Sequence, residues 1–306
     1  MVYNFGSALL NAKGDTKRPL NIILVSGVIN VVLNVIFIVF FDMSVDGVAL
    51  ATVISQYISA VRIVLCLVAD DSAIRIEFKN LKFHKDCIKE TLKVGIPTGL
   101  NGMTFSLSNI AVQSAVNSLG GGVMAAFAAT NNIQGFLYVI CNAFYSAALT
   151  FSSQNYGAGK LDRIKKVIYT NMLFIVVLGS IISGVAFVFA RNLLSIYITD
   201  PAIIEIGVIC AKYIWLPVFL CGIMEMYLAG VRSMGYSTLP MIMSVFGTCG
   251  LRILWVYTVF GAFHTVGSLF AVYSISWATT ACAHAVCFYI IFAKKKRLAA
   301  EKLTTA

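Results

Sequence analysis

Residues 217–260 read PVFLCGIMEMYLAGVRSMGYSTLPMIMSVFGTCGLRILWVYTVF, two apolar segments joined by the polar turn Arg232-Ser233-Met234-Gly235-Tyr236-Ser237-Thr238-Leu239-Pro240. Glu225 sits inside the first segment and Arg252 inside the second. In so apolar a setting each charge costs about 2.5–3.5 kcal/mol or more unless it is paired, solvated or neutralised. Such residues are functional candidates by default. The same turn occurs near the start of the chain as Lys13-Gly14-Asp15-Thr16-Lys17-Arg18-Pro19. Gly235 and Pro240 follow Gly14 and Pro19 at one common offset of 221 positions, and two apolar segments follow each turn. That is an internal repeat whose turns, marked by Gly14, Pro19, Gly235 and Pro240, are candidate conformational elements. Repeated halves in a hydrophobic chain are the usual construction of secondary transporters, with the substrate site between the halves.

Composition agrees. With 59% hydrophobic and only 12% charged residues over 306 positions and a mean hydropathy of +0.87, the chain is far from soluble domains, which run near 25% charged. It reads as an all-α polytopic membrane protein whose unit is the spanning helix of about 20 residues. A formal charge of +10 does not indicate nucleic acid, because the charges cluster between apolar segments. Eight cysteines stand singly with no Cys-x-x-Cys pair, so they read as small buried hydrophobes rather than metal ligands or disulfides. No basic residue precedes Lys13, so no cleavable signal peptide is evident.

Residues 1–12 resemble the end of a helix, and spans are expected over residues 20–41 and 47–69, so residues 1–69 form a first region. Residues 70–93 interleave Arg75, Lys79, Lys82, Lys85, Lys89 and Lys93 with Ile74, Ile76, Phe78, Leu81, Phe83 and Ile88, which reads as a cytoplasmic linker ending in an amphipathic surface helix. Six further spans are expected within residues 94–293, at 94–117, 122–151, 164–190, 202–231, 240–260 and 266–293, giving eight in all. Residues 294–306 form a basic tail opening with Lys294-Lys295-Lys296-Arg297. Of the 23 Lys and Arg, all but Arg62, Arg191, Lys212 and Arg252 fall on one side of this topology. The positive-inside rule makes that side cytoplasmic, C-terminus included, in an inner or plasma membrane.

Of 13 acidic residues, only Glu225 lies well within a span, roughly 10 Å from the end at Arg232 at about 1.5 Å rise per residue. Its functional reading is a carboxylate that takes up a proton or Na⁺, or pairs with a cationic substrate; its structural reading is an acid paired to Arg252. For Arg252 a structural pair is the expected role. Residues 94–117 hold Asn101, Thr104, Ser106, Ser108, Asn109 and Gln113, and residues 122–151 hold Thr130, Asn131, Asn132 and Gln134. Side chains of this kind bond between helices; so dense a set also suits a hydrated cavity, with Asn101, Asn131 and Gln134 as binding candidates. Pro97 and Pro217 mark expected kinks or unwound turns. His264 and His284 read as packing residues, and no nucleophile elbow, phosphate loop or metal-spaced cluster indicates an enzyme.

Five stretches carry a family resemblance. They are Gly14-Asp15-Thr16-Lys17-Arg18-Pro19 followed by Asn30 and Asn34, then Gly47 to Thr52 with Gln56, and Gly95-Ile96-Pro97-Thr98-Gly99-Leu100. Further on come Ser153-Gln154-Asn155-Tyr156-Gly157-Ala158-Gly159-Lys160 with Arg163, and Gly230 to Ser237. In series they resemble the bacterial branch of the multidrug and toxic compound extrusion (MATE) transporters, over nearly the whole chain. The resemblance implies a twelve-helix exporter of two six-helix lobes, driven by H⁺ or Na⁺ without other cofactor, that moves small amphipathic or cationic compounds across the bilayer. It implies further that this chain supplies the last two helices of the first lobe and a complete second lobe, so that four N-lobe helices are needed to complete it. Some members carry an acid in the helix matching residues 94–117; this chain has none there, which weighs against a second-lobe Na⁺ site and leaves Glu225 as its only intramembrane acid. A lipid-linked oligosaccharide flippase of the same superfamily is the alternative, for which Arg62 and Arg252 would line a basic cavity. A heptahelical receptor would need seven spans, and a membrane enzyme clustered acids or histidines.

Overall fold

The computed structural model describes residues 1–80 and 82–304; Leu81 of the expected linker and residues 305–306 of the tail lie outside them. Every regular element among the described residues is helical. The chain divides into two units, Met1–His84 and Lys85 onward.

In the first unit, α1 (Val2–Lys13) ends at Gly14, α2 (Lys17–Val35) runs on through a π-helical turn at Ile36–Phe40, and α3 (Val45–Val68) returns. Gly14 caps α1 at φ 96°, a conformation that glycine adopts without a Cβ penalty. Pro19 occupies the first turn of α2, where its missing N–H goes unneeded. Leu10, Ile22, Ile63 and Leu67 form the buried centre of this unit, and Ile74 and Ile76 pack against it.

In the second unit, α4 (Lys85–Ser118), α5 (Gly121–Gly157) and α6 (Leu161–Val188) are followed by the short α7 (Ala190–Leu194). Next come α8 (Pro201–Ile214) and α9 (Val218–Ser233), separated by a break at Trp215–Pro217 where Pro217 was expected to unwind the helix. The last two helices are α10 (Thr238–Phe263), which holds π-helical turns at Val245–Gly250 and Val256–Phe260, and α11 (Val266–Thr304). α9 is the central helix, packed on α5, α6 and α11. Two glycines admit its neighbours: a Cβ on Gly222 would clash with Ile175 of α6, and one on Gly230 would lie 2.7 Å from Phe288 of α11. Small residues at such crossings let membrane helices approach closely.

Three expectations change. The amphipathic stretch 85–93 does not stop at a linker boundary but continues as the first turns of α4, with Pro97 inside the helix. The tail is likewise the continuation of α11, in which Leu298, Ala299 and Ala300 are good helix formers and Arg297 pairs with Glu301 one turn on. Seven helices among the described residues, not eight, are long and apolar enough to cross a membrane. The eighth, α4, has the length at 34 residues, but Asn101, Thr104, Ser106, Ser108 and Asn109 interrupt its apolar run.

The repeat extends beyond its turns. Gly235 ends α9 at φ 86° as Gly14 ends α1, and Pro240 stands third in α10 as Pro19 stands third in α2. The π-helical turns at Ile36–Phe40 and Val256–Phe260 come next, then a non-glycine residue at positive φ, Asp42 (50°) and His264 (44°). The following helices begin at Val45 and Val266.

Candidate functional site

A cavity of about 250 Å³ in the second unit is lined by Asn109 and Gln113 of α4, Phe127, Asn131, Gln134 and Tyr138 of α5, and Tyr273 of α11. Phe127, Asn131, Gln134 and Tyr138 recur at helical spacing and so share one face of α5, while Asn109 and Gln113, one turn apart, share one face of α4. The lining holds amides and aromatic rings and no charge.

Glu225 and Arg252 stand directly behind this lining. Glu225 is buried, and the Tyr138 hydroxyl donates to its Oε1 at 3.4 Å, the long end of the range for such a bond. Arg252 is buried as well. Its Nε donates to Ser276 Oγ at 3.1 Å, and its Nη1 donates to Asn109 Oδ1 at 3.0 Å and Ser108 Oγ at 3.3 Å. Its guanidinium lies 4.3 Å from the centre of the Tyr273 ring, a favourable cation–π geometry. The expected Glu225–Arg252 pair does not form: among the described residues neither group has an ion-pair partner. Glu225 turns to α5, whereas Arg252 is held by α4 and α11.

The candidates therefore separate. Asn131 and Gln134 line the cavity, and Glu225 and Arg252 reach it through Tyr138, Tyr273 and Asn109. Asn101 is buried on α4 with its Oδ1 unpartnered, away from the cavity lining. Tyr138 and Tyr273 were not singled out, although Tyr138 continues the helical stripe of Asn131 and Gln134.

The four turn residues anchor the two repeats differently. In the first unit Asp70 receives Lys13 Nζ at 2.9 Å and Arg18 Nη1 at 3.0 Å and is also bonded by the Ser72 hydroxyl and amide. Ser72 and then Lys13 hold its carboxyl well below the usual range. In the second unit His284 lies under the turn, with Nε2 3.3 Å from both Pro240 O and Ser244 Oγ and Nδ1 3.4 Å from Met224 O. The first unit holds a further cavity of about 310 Å³, where Asn30 Nδ2 donates to Ser55 Oγ at 3.4 Å and Thr52 Oγ1 at 3.5 Å, with Gln56 in the lining. Among the described residues no three His, Cys, Asp or Glu side chains converge as a metal site.

Comparison with known proteins bears on this arrangement. The probable multidrug resistance protein YoeA of Bacillus subtilis is 27% identical over 81% of this chain and 55% of its own length. The multidrug export protein MepA of Staphylococcus saprophyticus is 24% identical over 91% of this chain and 60% of its own. The chain thus spans little more than half the length of these curated relatives. A solved outward-facing conformation of a multidrug resistance MATE family transporter of the MOP superfamily superposes with a TM-score of 0.88 at 18% identity, over 96% of this chain and 66% of that one; at that identity the likeness shows the fold. The MatE family model matches residues 97–258, more than half of the chain, and the chain accordingly belongs to the MatE family, the multidrug and toxic compound extrusion transporters.

Proposed function

We propose that this chain carries the second-lobe site of a cation-coupled exporter of small amphipathic or cationic organic compounds, working by alternating access with H⁺ or Na⁺ as the coupling ion. The observation that carries the reading is the contact between Tyr138 and Glu225. One hydroxyl both lines the cavity and touches the buried acid, so a substrate that displaces the ring also changes the environment of the carboxylate. A proton or Na⁺ taken up at Glu225 would weaken the acceptor for Tyr138 and so loosen the same wall. Tyr138, Phe127 and Tyr273 offer ring faces that attract organic cations; Asn131, Gln134 and Gln113 offer hydrogen bonds without a fixed charge, which suits varied substrates. The names of the relatives, multidrug resistance and export proteins, support this reading. The flippase alternative is less well supported, because Arg252 is committed to Ser108, Asn109, Ser276 and the Tyr273 ring behind the wall rather than exposed in it.

The test is gradient-driven efflux of a fluorescent organic cation from proteoliposomes of the full-length protein, with proton and Na⁺ gradients imposed separately. Glu225→Gln keeps the shape and removes the charge. It is expected to fold normally and to lower gradient-driven efflux at least about tenfold, equivalent to about 1.4 kcal/mol of lost coupling. Tyr138→Phe should weaken it less. Full efflux from well-folded Glu225→Gln would remove Glu225 from the mechanism.

A further inference from the structure

Lys165 of α6 lies over two rings of α11, its Nζ 4.6 Å from the centre of Phe292 and 5.7 Å from that of Tyr289. One turn further along the same face of α6, the Tyr169 hydroxyl bonds to the Tyr289 hydroxyl. These contacts close a seam between the two helices, and Tyr227 of α9 braces it, with its ring centre 6.3 Å from that of Tyr289. The seam is open outward, since Tyr169 and Tyr289 are each 42% exposed.

Its polar groups keep donors unspent. Two hydroxyls carry two protons and share one between them, so one O–H remains to donate outward. The Lys165 ammonium has three N–H groups, and among the described residues no carboxylate pairs with it. The neighbouring acid, Asp162, takes Lys296 at 2.9 Å. The rings hold the cation in place without neutralising it. Arg163, Lys166 and Lys294 are exposed at the same ends of α6 and α11, so the surroundings carry a surplus of positive charge.

Away from this basic end the seam turns apolar. Leu173, one turn beyond Tyr169 on α6, and Val286, one turn before Tyr289 on α11, are both exposed. Both helices are long and apolar enough to cross a membrane, and exposed apolar side chains on such helices meet lipid. Along the seam the order is cation, hydroxyl, apolar side chain. That is also the order of phosphate, ester and acyl chain in a phospholipid whose headgroup lies on the basic side.

We propose that the α6–α11 seam binds an anionic phospholipid. The headgroup phosphate accepts from Lys165 Nζ and from the free tyrosine O–H, and an acyl chain lies along Leu173 and Val286. The surplus of cations selects an anionic headgroup over a zwitterionic one. The inference concerns the outer face of the second unit and does not depend on the transport reading.

Lipid retention by the full-length protein tests it. The protein is purified in detergent with equimolar phosphatidylglycerol and phosphatidylcholine, and native mass spectrometry counts what stays bound. Phosphatidylglycerol should be retained in preference and saturably. Lys165→Gln should lower its retention about fivefold, the worth of one lysine beside an anionic surface. Lys166→Gln removes the same charge from the adjacent position, off the seam, and should stay near the parent value. Tyr169→Phe combined with Tyr289→Phe should also lower retention, and this pair decides the matter if Lys165→Gln fails to fold. Equal retention of the two lipids by the parent, equal losses for Lys165→Gln and Lys166→Gln, or a tyrosine variant that matches the parent would overturn the proposal. So would displacement of the lipid by an equal concentration of glycerol phosphate, which would mean a free-anion site to which the apolar flank adds nothing.

Discussion

Charge deletion at Arg252 gives the sharpest energetic test of the site's wiring. Arg252→Met removes three hydrogen bonds from a charged donor, to Ser108, Asn109 and Ser276, each with a net worth of about 1.5–3 kcal/mol. It also removes a contact with the Tyr273 ring worth about 2 kcal/mol when desolvated. Against this, Met releases the desolvation cost of a buried guanidinium, several kcal/mol after relaxation, and fills similar space. The two sides nearly cancel, so a net loss of about 1–3 kcal/mol is expected. No acid is orphaned by the change, because Glu225 bonds to Tyr138 instead. The double-mutant cycle of Arg252→Met with Glu225→Gln should therefore show a coupling below about 0.5 kcal/mol, the level of sites that share no partner. An ion pair would behave differently, each single change costing about 3–5 kcal/mol and the double change restoring most of it. Reversible unfolding in mixed detergent micelles measures all four corners of the cycle, and a coupling above about 2 kcal/mol would refute the separation of the two charges.

The remaining predictions concern packing, pH and topology. Gly230→Ala places a Cβ 2.7 Å from the Phe288 ring and should cost about 1–3 kcal/mol by overpacking, whereas Gly184→Ala, which meets nothing within 4 Å, should be neutral or gain about 0.5–1 kcal/mol; equal losses on the unfolding curves would contradict the close α9–α11 crossing. Asp70→Asn should destabilise the first unit at neutral pH, and because the folded carboxyl titrates below its unfolded value, the deficit should fade as pH falls below about 4; a deficit that persists unchanged in acid would mean Asp70 acts by shape. Single cysteines at Lys85, Lys165 and Lys295 should react with an impermeant maleimide only from the cytoplasmic side, and those at Asp46 and Arg191 only from outside, as the clustering of Lys and Arg requires; external labelling at Lys85 would reverse the orientation.

The repeat was legible because its signals are backbone signals. A glycine that must adopt positive φ and a proline confined to a first helical turn leave the same mark wherever the chain makes this turn, and Gly14, Pro19, Gly235 and Pro240 carry it. The π-helical turns and the positive φ of Asp42 and His264 left none, since apolar and aromatic residues fit α and π turns alike. The run 85–93 was read as a surface helix because basic residues interleaved with apolar ones are compatible with lying on a membrane and with extending a span; no glycine or proline before Gly95 forces a break. Pairing Glu225 with Arg252 failed for a different reason. Helical rise gives depth and says nothing of azimuth, and even in depth the two residues differ by about 8 Å.

What the second unit adds to that reading is the position of its tyrosines. A fixed charge in a cavity wall would favour one class of ligand and would have to be neutralised whenever the cavity emptied. Here Tyr138 stands between the cavity and Glu225, and Tyr273 with Asn109 stands between the cavity and Arg252. Each charge keeps a polar partner when no ligand is present, so neither depends on the substrate for its solvation. On the proposed reading, a ligand that moved Tyr138 would lengthen an already long contact to the acid. On the proposed transport reading, this arrangement would combine an uncharged wall with sensitivity to a coupling ion bound at Glu225, relayed in part by the hydroxyl that Tyr138→Phe removes while keeping the ring.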